Sequence, residues 1–372
     1  MNLLHFGLKL LGGRLLGKRM PLQLNMHVTD VCNLRCKYCY VDFKHALEDM
    51  SLESIRRVIT EARECGTERI SLEGGEPLAR KDIGDIVDII RNLNIECNIN
   101  TNGYFIPRRI ESLRRVNVFS ISIDGPPAVH DGLRGKGSYE SALKGARVAS
   151  ENGIKLHFSS VLTRYNREHV GFMLDLAREY GAEWVPNSLF FMAGHRIDEA
   201  EAEYQIEDED YKRLIQEIID LKAAGAPIVW SNQTLRYVHD WPMTYFESNM
   251  FESAMDSDNG FNPLRCYAGR FFLVMQTNGD LYPCDPLLGY GEGHPPNALE
   301  LGFREAMRRT TTHDCVACNS IVCSEYHNLF SMNVPVILNL LANYGGRAPR
   351  SSAPDTPTVR DPQEPPIVTV PK

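Results

Sequence analysis

The sequence predicts an α/β fold in which strands and helices alternate around a mostly parallel sheet. Between residues 22 and 190, six short apolar runs have the composition of buried strands, and amphipathic helical patterns lie between them. The runs recur at roughly 25 to 35 residues, which is typical of repeated βαβ units in an open sheet or a barrel. The loops that follow such strands build the active site.

The predicted elements follow from these runs. The strand candidates are Leu22–Thr29, Arg69–Glu73, Glu96–Thr101, Val118–Asp124, Lys155–Leu162 and Glu183–Leu189. The helical patterns lie near Leu52–Cys65, Ile83–Leu93, Pro107–Arg115, Tyr139–Asn152 and Arg167–Tyr180. Polar motifs come after several strands, so we expect them to converge at one end of the sheet.

Composition narrows the function. The chain has 372 residues, 43% of them hydrophobic, and a net charge of −8. Such a charge disfavours nucleic-acid binding, which needs clustered Lys and Arg. No apolar run reaches the roughly 18 to 20 residues of a spanning helix and the N-terminus lacks a signal-peptide pattern, so we expect a cytoplasmic protein. Eight of the ten cysteines fall in two tight groups, which favours metal binding over disulfides.

The first group lies in HVTDVCNLRCKYCYV, directly after the first predicted strand. Cys32, Cys36 and Cys39 have the spacing C-x3-C-x2-C. Three thiolates in one short loop can hold three irons of a cubane cluster and leave the fourth iron open for chemistry. The alternative is structural zinc, which normally has four Cys or His ligands, and no fourth candidate lies at a customary spacing.

This stretch closely resembles the cluster loop of the radical S-adenosylmethionine (SAM) superfamily. In that family the motif ends beside an aromatic residue, here Tyr38 and Tyr40. LEGGEP, residues 72–77, resembles the Gly-Gly-Glu-Pro motif, where backbone groups at a strand end receive the amino group of the methionine moiety. The matching residues are Gly74, Gly75 and Glu76. Glycines allow close backbone approach, and Glu76 offers an acceptor.

Two later segments extend the resemblance. Asn102 lies in Asn-Thr-Asn-Gly, residues 100–103, which resembles the family's segment beside the cofactor, and SISIDG, residues 120–125, places Ser122 and Asp124 where relatives contact the ribose and methionine ends. The resemblance implies a partial (β/α)6 TIM-like barrel with a [4Fe–4S] cluster in its top opening. It also implies reductive cleavage of SAM to a 5′-deoxyadenosyl radical, which abstracts hydrogen from a substrate, and an electron donor such as flavodoxin or ferredoxin.

The second group surrounds a predicted hairpin. Asn278-Gly279 lies between two apolar arms, a signal for a tight turn. Cys266, Gly279 and Cys284 have the spacing C-x12-G-x4-C, which resembles the opening half of C-terminal SPASM domains that hold auxiliary Fe–S clusters. Cys315, Cys318 and Cys323 follow, and no cysteine comes after them. Five cysteines suit the shorter twitch type, so this resemblance implies a small C-terminal domain with one auxiliary [4Fe–4S] cluster.

The ligand set of the second group has alternatives. The preferred ligands are Cys266, Cys284, Cys315 and Cys318, with Cys323 as a spare or a substitute. Another arrangement uses all five for two incomplete clusters, with His327 as an extra ligand. Zinc also suits four cysteines that include a C-x2-C pair. Cys65 and Cys97 lie outside both groups and are expected to be buried small hydrophobes.

The reaction that uses these cofactors is less determined. Asp285, next to Cys284, is a candidate general base, and Glu325, Tyr326 and His327 are others. The substrate is either a peptide or a small molecule, including a lipid-linked one. A peptide is not preferred, because only 21 residues precede the first strand and leave little room for a peptide-recognition domain. The alternative from another class is a non-catalytic electron-transfer or zinc-binding module.

The sequence divides into four segments. Residues 1–21 form an N-terminal extension, 22–230 the core, 231–345 the auxiliary-cluster domain and 346–372 a disordered tail rich in Pro, Ser and Thr. The acidic residues 198–210 are predicted to form a solvated connection or a helix face.

The N-terminal extension combines apolar and basic residues and is a candidate for peripheral membrane contact through residues 1–20. Leu4, Leu8, Leu11 and Leu15 form one stripe in a helical projection, although four glycines weaken a helix. The alternative is a segment that packs against the barrel or the second domain.

Overall fold

The fold is described from a computed structural model, which describes residues 3–41, 43, 46–189, 202–254 and 260–345. Its main element is an eight-stranded sheet with the order β6-β5-β4-β3-β2-β1-β8-β9. The strands are β1 (Gln23–Thr29), β2 (Arg69–Gly74), β3 (Glu96–Thr101), β4 (Val118–Ser122), β5 (Lys155–Leu162), β6 (Glu183–Ser188), β8 (Phe272–Met275) and β9 (Leu281–Tyr282). Strands β1 to β6 are parallel in chain order, which confirms the partial (β/α)6 barrel.

Helices connect and cover the strands. In the core they are α2 (Leu52–Cys65), α3 (Ile83–Asn92), α4 (Ile106–Leu113), α5 (Pro127–Arg134), α6 (Ser138–Glu151) and α7 (Val170–Tyr180). The remainder are α1 (Leu3–Leu15), α8 (Asp208–Ala223), α9 (Asn232–His239), α10 (Ala298–Leu301), α11 (Phe303–Arg309), α12 (Ile321–Phe330) and α13 (Val334–Gly345). No helix in this described part is long and apolar enough to cross a bilayer.

The core elements form where the apolar pattern predicts them. Helix α2 and strands β3 and β5 have the predicted bounds. The Ser51 hydroxyl accepts from the Ser54 amide at the start of α2, and Gly66 ends the helix with a φ of 114°. Helix α7 begins three residues later than predicted, because Arg167–His169 form a 3-10 turn.

The strand from the second cysteine region extends the barrel sheet. β8 lies parallel to β1, with Gln23 opposite Phe272 and Met26 opposite Met275. β9 returns antiparallel to β8, and Gly279 between them has a φ of 91°. The hairpin prediction is confirmed. A two-stranded antiparallel sheet of β7 (Asn249–Phe251) and β10 (Cys315–Cys318) lies outside the main sheet.

Two apolar cores hold the chain together. The larger lies between the sheet and the helices of the barrel. The second joins α1 to the C-terminal region and contains Phe6, Leu10, Phe271, Phe330 and Val336. Helix α1 thus forms despite its glycines, because one face is buried in this core, as the packing alternative predicted.

Other predictions about the chain ends remain untested. The disordered tail, residues 346–372, and residues 198–201 of the acidic segment lie outside the described residues. Residues 208–210 begin α8, so part of that segment is a helix start. Acidic side chains there suit the positive end of the helix dipole. The four-segment division itself stays a prediction.

Candidate active site

The first cysteine group lies in the loop after β1. The Cys39 amide donates to the Cys36 carbonyl over 3.2 Å, and the Leu34 amide donates to the Cys32 sulfur over 3.3 Å. Burial raises the pKa of Cys32 to about 12 and that of Cys39 to about 11. Cysteines bind metals as thiolates, so a metal ion that binds here would displace the thiol protons.

Sulfur spacing distinguishes a cluster from zinc. Around one tetrahedral zinc, with Zn–S bonds of about 2.3 Å, the thiolates lie about 3.8 Å apart. Among the residues that the structure describes, which include all ten cysteines, no three cysteine sulfurs lie within 4.8 Å of one another. A four-iron cubane separates its thiolates more widely than one zinc ion does. The first cysteine group therefore fits an Fe–S cluster better than zinc, whereas the hydrogen-bonded cysteine pairs of the second group leave both metals open.

The end of β2 packs tightly against the cluster loop. The Gly75 amide donates to the Thr29 carbonyl over 2.7 Å, and the Glu76 amide donates to the Val31 carbonyl over 2.8 Å. A Cβ on Gly74 would lie 2.2 Å from the Thr29 oxygen, and Gly74 also has a φ of 132°. Glycine is needed here because the two backbones touch.

Gly75→Ala tests this contact, because its Cβ would lie 2.6 Å from the backbone oxygens of Asp30 and Val31. We expect the cluster loop to shift, with loss of iron from that loop and about 1–3 kcal/mol of stability. Iron analysis and urea unfolding measure both effects. Gly171→Ala is the control, because nothing lies within 4 Å of its Cβ in α7, and it should stabilise slightly. Normal iron content in Gly75→Ala would contradict the close contact.

The Glu76 carboxylate joins the ends of β2 and β3. It accepts from the Leu78 amide at 3.0 Å, the Thr101 hydroxyl at 2.7 Å and the Asn102 amide at 2.8 Å. Burial raises the pKa of Glu76 to about 7. The Asn102 side chain donates to the Asn33 side chain over 2.9 Å, so this network holds the cluster loop as well.

Asp124 is fully buried after β4 and lies in a second network. Its carboxylate accepts from Arg134 Nε at 2.6 Å, from the Val161 amide at 3.1 Å and from the Tyr38 hydroxyl. Arg134 also lies 3.9 Å from the Cys36 sulfur. The network therefore joins α5 to the cluster loop, while Ser122 lies half-buried at the end of β4.

Cys323 lies at the centre of the second cysteine group. It is at the start of α12, where its amide donates to the Ser320 hydroxyl over 3.4 Å. The thiols of Cys284 and Cys318 donate hydrogen bonds to the Cys323 sulfur, which lowers the pKa of Cys323 and raises those of its two partners. A helix N-terminus also favours a thiolate. Cys323 thus contacts two other cysteines of the group, and its role as ligand, spare or substitute stays a prediction.

Cys266 and Cys315 lie around this centre. The Cys315 sulfur accepts from the Asn249 side chain over 3.4 Å. The Cys266 sulfur lies 3.5 Å from His327 Nε2, while His327 Nδ1 accepts from the Tyr267 amide over 3.3 Å. With Nδ1 as acceptor, neutral His327 carries its proton on Nε2 and donates to the Cys266 sulfur. Burial lowers the pKa of His327, which favours this neutral form.

Three polar residues converge between the two groups. His27 Nε2 lies 3.8 Å from both Glu73 Oε2 and Asp285 Oδ1. Side-chain amides hold the other oxygens, since Asn100 donates to Glu73 over 2.9 Å and Asn25 donates to Asp285 over 3.2 Å. We call His27, Glu73 and Asp285 the polar trio.

The surroundings of the polar trio connect it to both cysteine groups. The His27 ring centroid is 6.0 Å from that of Tyr40, which follows Cys39, and Asp285 follows Cys284. Burial, then the charges of Asp285 and Cys323, raise the pKa of Glu73 well above its usual range. The polar trio therefore lies beside Tyr40, next to the first cysteine group, and includes Asp285, next to the second.

Comparison with known proteins gives the family. The model of the radical SAM superfamily matches residues 26–177, which contain the cluster loop and the strand-end motifs above. Residues 26–177 therefore form a radical SAM domain. As a radical SAM enzyme the chain binds a [4Fe–4S] cluster and S-adenosylmethionine.

Curated relatives of this radical SAM enzyme have different activities. A probable GTP 3′,8-cyclase of Methanosarcina mazei is 26% identical over 306 residues, which cover 77% of this chain and 85% of that protein. An AdoMet-dependent heme synthase of Methanosarcina barkeri is 26% identical over 77% of this chain and 81% of its own length. The PqqA peptide cyclase of Streptomyces rochei is 31% identical, but over only 44% of this chain and 47% of that protein.

Solved structures share the fold. Streptococcus suis SuiB bound to precursor peptide SuiA has a TM-score of 0.59 at 19% identity, covering 85% of this chain and 74% of SuiB. The anSMEcpe structure with bound AdoMet and Cp18Cys peptide has a TM-score of 0.60 at 16% identity, covering 87% of this chain and 99% of the other. Coverage this broad extends the likeness beyond the barrel into the C-terminal region.

Some residues of the radical SAM site were missed from the sequence. His27 lies in HVTDVC and Glu73 in LEGGEP, and strand alternation could have placed both side chains on one side of adjacent strands. In the structure His27 lies opposite Glu73 in the register of β1 and β2. Arg134 had no such signal, because its contact with Asp124 depends on how α5 packs.

Proposed function

We propose that Cys32, Cys36 and Cys39 hold the SAM-cleaving cluster and that the second cysteine group holds an auxiliary cluster in an enzyme that oxidises its substrate. When bound, the first cluster supplies the electron that cleaves SAM to a hydrogen-abstracting 5′-deoxyadenosyl radical. The observation that carries the proposal is the polar trio, because it offers proton-accepting groups next to both cysteine groups.

For SAM we propose the strand ends beside the cluster loop. Gly74 and Gly75 provide backbone groups there, and Asn102 and Ser122 lie at the ends of β3 and β4. The carboxylates of Glu76 and Asp124 accept several protein hydrogen bonds, so they also hold the shape of this pocket. Tyr38 donates to Asp124 and presents its ring near the same loop.

For the auxiliary cluster we propose Cys284, Cys318 and Cys323 as its central ligands. Their mutual hydrogen bonds support this set. Cys266 and Cys315 compete for the fourth position. His327 is better suited to orient the Cys266 sulfur than to bind metal, because both of its ring nitrogens already have partners. An electron donor such as flavodoxin or ferredoxin reduces the enzyme.

Asp285 is the proposed general base. Its Oδ1 is buried without a hydrogen-bond partner and faces His27 Nε2. Among the alternatives, Glu325 accepts from the Ser231 hydroxyl over 2.7 Å and is held by that contact. Tyr326 stacks on Phe272 and Phe330 in the second core. Asp285 therefore has the freest oxygen of these candidates.

The substrate proposal has two branches. A peptide is supported by the shared fold with SuiB bound to precursor peptide SuiA and by the partial match to PqqA peptide cyclase. A small or lipid-linked molecule is supported by relatives named for GTP and heme chemistry. Neighbouring genes distinguish the branches, because a short precursor-peptide frame or a lipid pathway would identify the class.

Anaerobic reconstitution followed by dithionite and SAM tests the proposed function. A protein with full iron content should form 5′-deoxyadenosine. No 5′-deoxyadenosine from such a protein would instead favour the electron-transfer or zinc-binding alternative.

Asp285→Asn is expected to separate SAM cleavage from product formation. The amide keeps the shape but accepts no substrate proton, so product per 5′-deoxyadenosine should fall by about 10²-fold or more. Chromatography of both compounds, with the candidate substrate from the neighbouring genes, gives this ratio. Asp88→Asn is the control, since Asp88 forms an exposed ion pair with Arg115. An unchanged ratio in Asp285→Asn would rule out its role as base.

A further inference from the structure

Exposed apolar side chains are concentrated on two helices. Of eleven large hydrophobic side chains that are exposed in the described part of the chain, eight lie on or directly beside α1 and α13. The leucine face of α1 consists of Leu4, Leu8, Leu11, Leu15 and Leu16, and the α13 stripe consists of Val334, Leu338 and Leu341. Scattered single residues of this kind need no explanation, but a cluster does.

Each helix is held by its opposite face. On α1, Phe6 and Leu10 are buried in the second core, whereas Leu4 is 74% and Leu15 77% exposed. Positions 4, 8, 11 and 15 follow the helical period, so these leucines point away from that core together. On α13, Val336 is buried while Val334 is 63% exposed. The exposed faces are thus fixed by packing.

The two helices adjoin the same core. Phe6, Leu10 and Val336 belong to one apolar cluster. Arg14 at the end of α1 donates to the carbonyl of Phe330 over 3.1 Å, four residues before α13 begins. The leucine face and the α13 stripe therefore border one rigid part of the molecule.

The charged side chains within these two segments are all basic. Residues 3–22 contain no Asp or Glu, and residues 327–345 contain no Asp, Glu, Lys or Arg, in a chain of net charge −8. Lys9 is paired with Glu68, so its charge is compensated. Lys18 is exposed directly after the leucine face, whereas the neighbouring Arg19 donates to the carbonyls of residues 307, 308 and 310. An apolar face bordered by cations is complementary to anionic lipid headgroups.

We infer that the leucine face and the α13 stripe dock onto the surface of an anionic bilayer. The leucines enter the boundary between headgroups and acyl chains while Lys18 meets lipid phosphates. A second copy of the chain is a poorer occupant, because a twofold contact through the same patch brings like charges together. This inference goes beyond the proposed function, since SAM cleavage does not depend on it.

Co-sedimentation of the full-length reconstituted enzyme with vesicles tests the inference. The vesicles contain phosphatidylcholine alone or phosphatidylcholine with phosphatidylglycerol. Wild type should bind the anionic vesicles, and less so at high salt. Leu4→Ser/Leu8→Ser/Leu15→Ser should lower the partition coefficient at least about tenfold, and Val334→Ser/Leu338→Ser at least about threefold. Lys18→Gln should lower it about fivefold.

Matched controls make the outcome decisive. Tyr165→Ser removes an exposed aromatic side chain away from both helices and should bind like wild type. SAM cleavage without vesicles, unchanged in the serine variants, shows that they are folded. If a serine variant fails this check, Lys18→Gln and the salt series still decide.

Three results would overturn the inference. In the first, wild type stays in the supernatant with both vesicle types. In the second, the serine variants bind as well as wild type. In the third, light scattering shows a wild-type dimer that the serine substitutions dissociate, without vesicle binding, which would assign the face to a second copy.

Discussion

Cys32→Ala, Cys36→Ala and Cys39→Ala are each expected to abolish 5′-deoxyadenosine formation. Each removes one of three thiolates in the loop after β1, and a cubane with two protein thiolates is under-ligated. No other cysteine of the described chain replaces the lost ligand, because the remaining ones lie in α2, in β3 or in the second group. Chromatography after dithionite and SAM measures the product.

Cys65→Ala is the matched control for these variants. Cys65 is buried at the end of α2, outside both cysteine groups. The same loss of a thiol there should leave 5′-deoxyadenosine formation intact. Wild-type SAM cleavage in any of the three loop variants would refute the assignment of those cysteines.

Iron content is expected to be about eight per chain, from two four-iron clusters. In the triple Cys32/Cys36/Cys39→Ala protein it should fall by about half, because the second cysteine group is ligated separately. The triple Cys284/Cys318/Cys323→Ala protein should lose the other half. Colorimetric iron and sulfide analysis after anaerobic reconstitution measures both.

The two triple variants control each other. Only the Cys284/Cys318/Cys323 variant should retain 5′-deoxyadenosine formation, since its first cluster loop is intact. A folded Cys32/Cys36/Cys39 variant without any iron would argue against a separate auxiliary site. Zinc in place of iron in that variant would support the tetrahedral alternative for the second group.

Strand and helix positions in the barrel were predictable because periodicity and caps agree there. Helix α2 illustrates this, with Ser51 and Gly66 at its ends. β4 was predicted to reach Asp124 but ends at Ser122. Beyond Ser122 the Asp124 side chain, instead of a backbone oxygen, accepts from the Val161 amide. Such a substitution of side chain for backbone depends on tertiary structure.

The cysteine groups were predictable because ligand spacing is local, whereas contacts between distant segments were not. Nothing in the sequence showed that Arg134 would reach Asp124, or that Cys323 would lie between Cys284 and Cys318. The convergence of His27 and Asp285 likewise depends on β8 lying beside β1. α1 forms because Phe6 and Leu10 find a core more than 250 residues away in the chain.

Strand β8 pairs with β1 and so covers what would otherwise be an edge of the barrel sheet. Without β8, the backbone amides and carbonyls of Gln23–Met26 would form an open edge strand. An open edge of this kind is a template for pairing with other chains and for aggregation. β1 is fully buried and leads directly into the cluster loop. In a fragment truncated before β8, the edge of β1 would therefore be open to pairing with other chains, and β1 is the strand that positions Cys32.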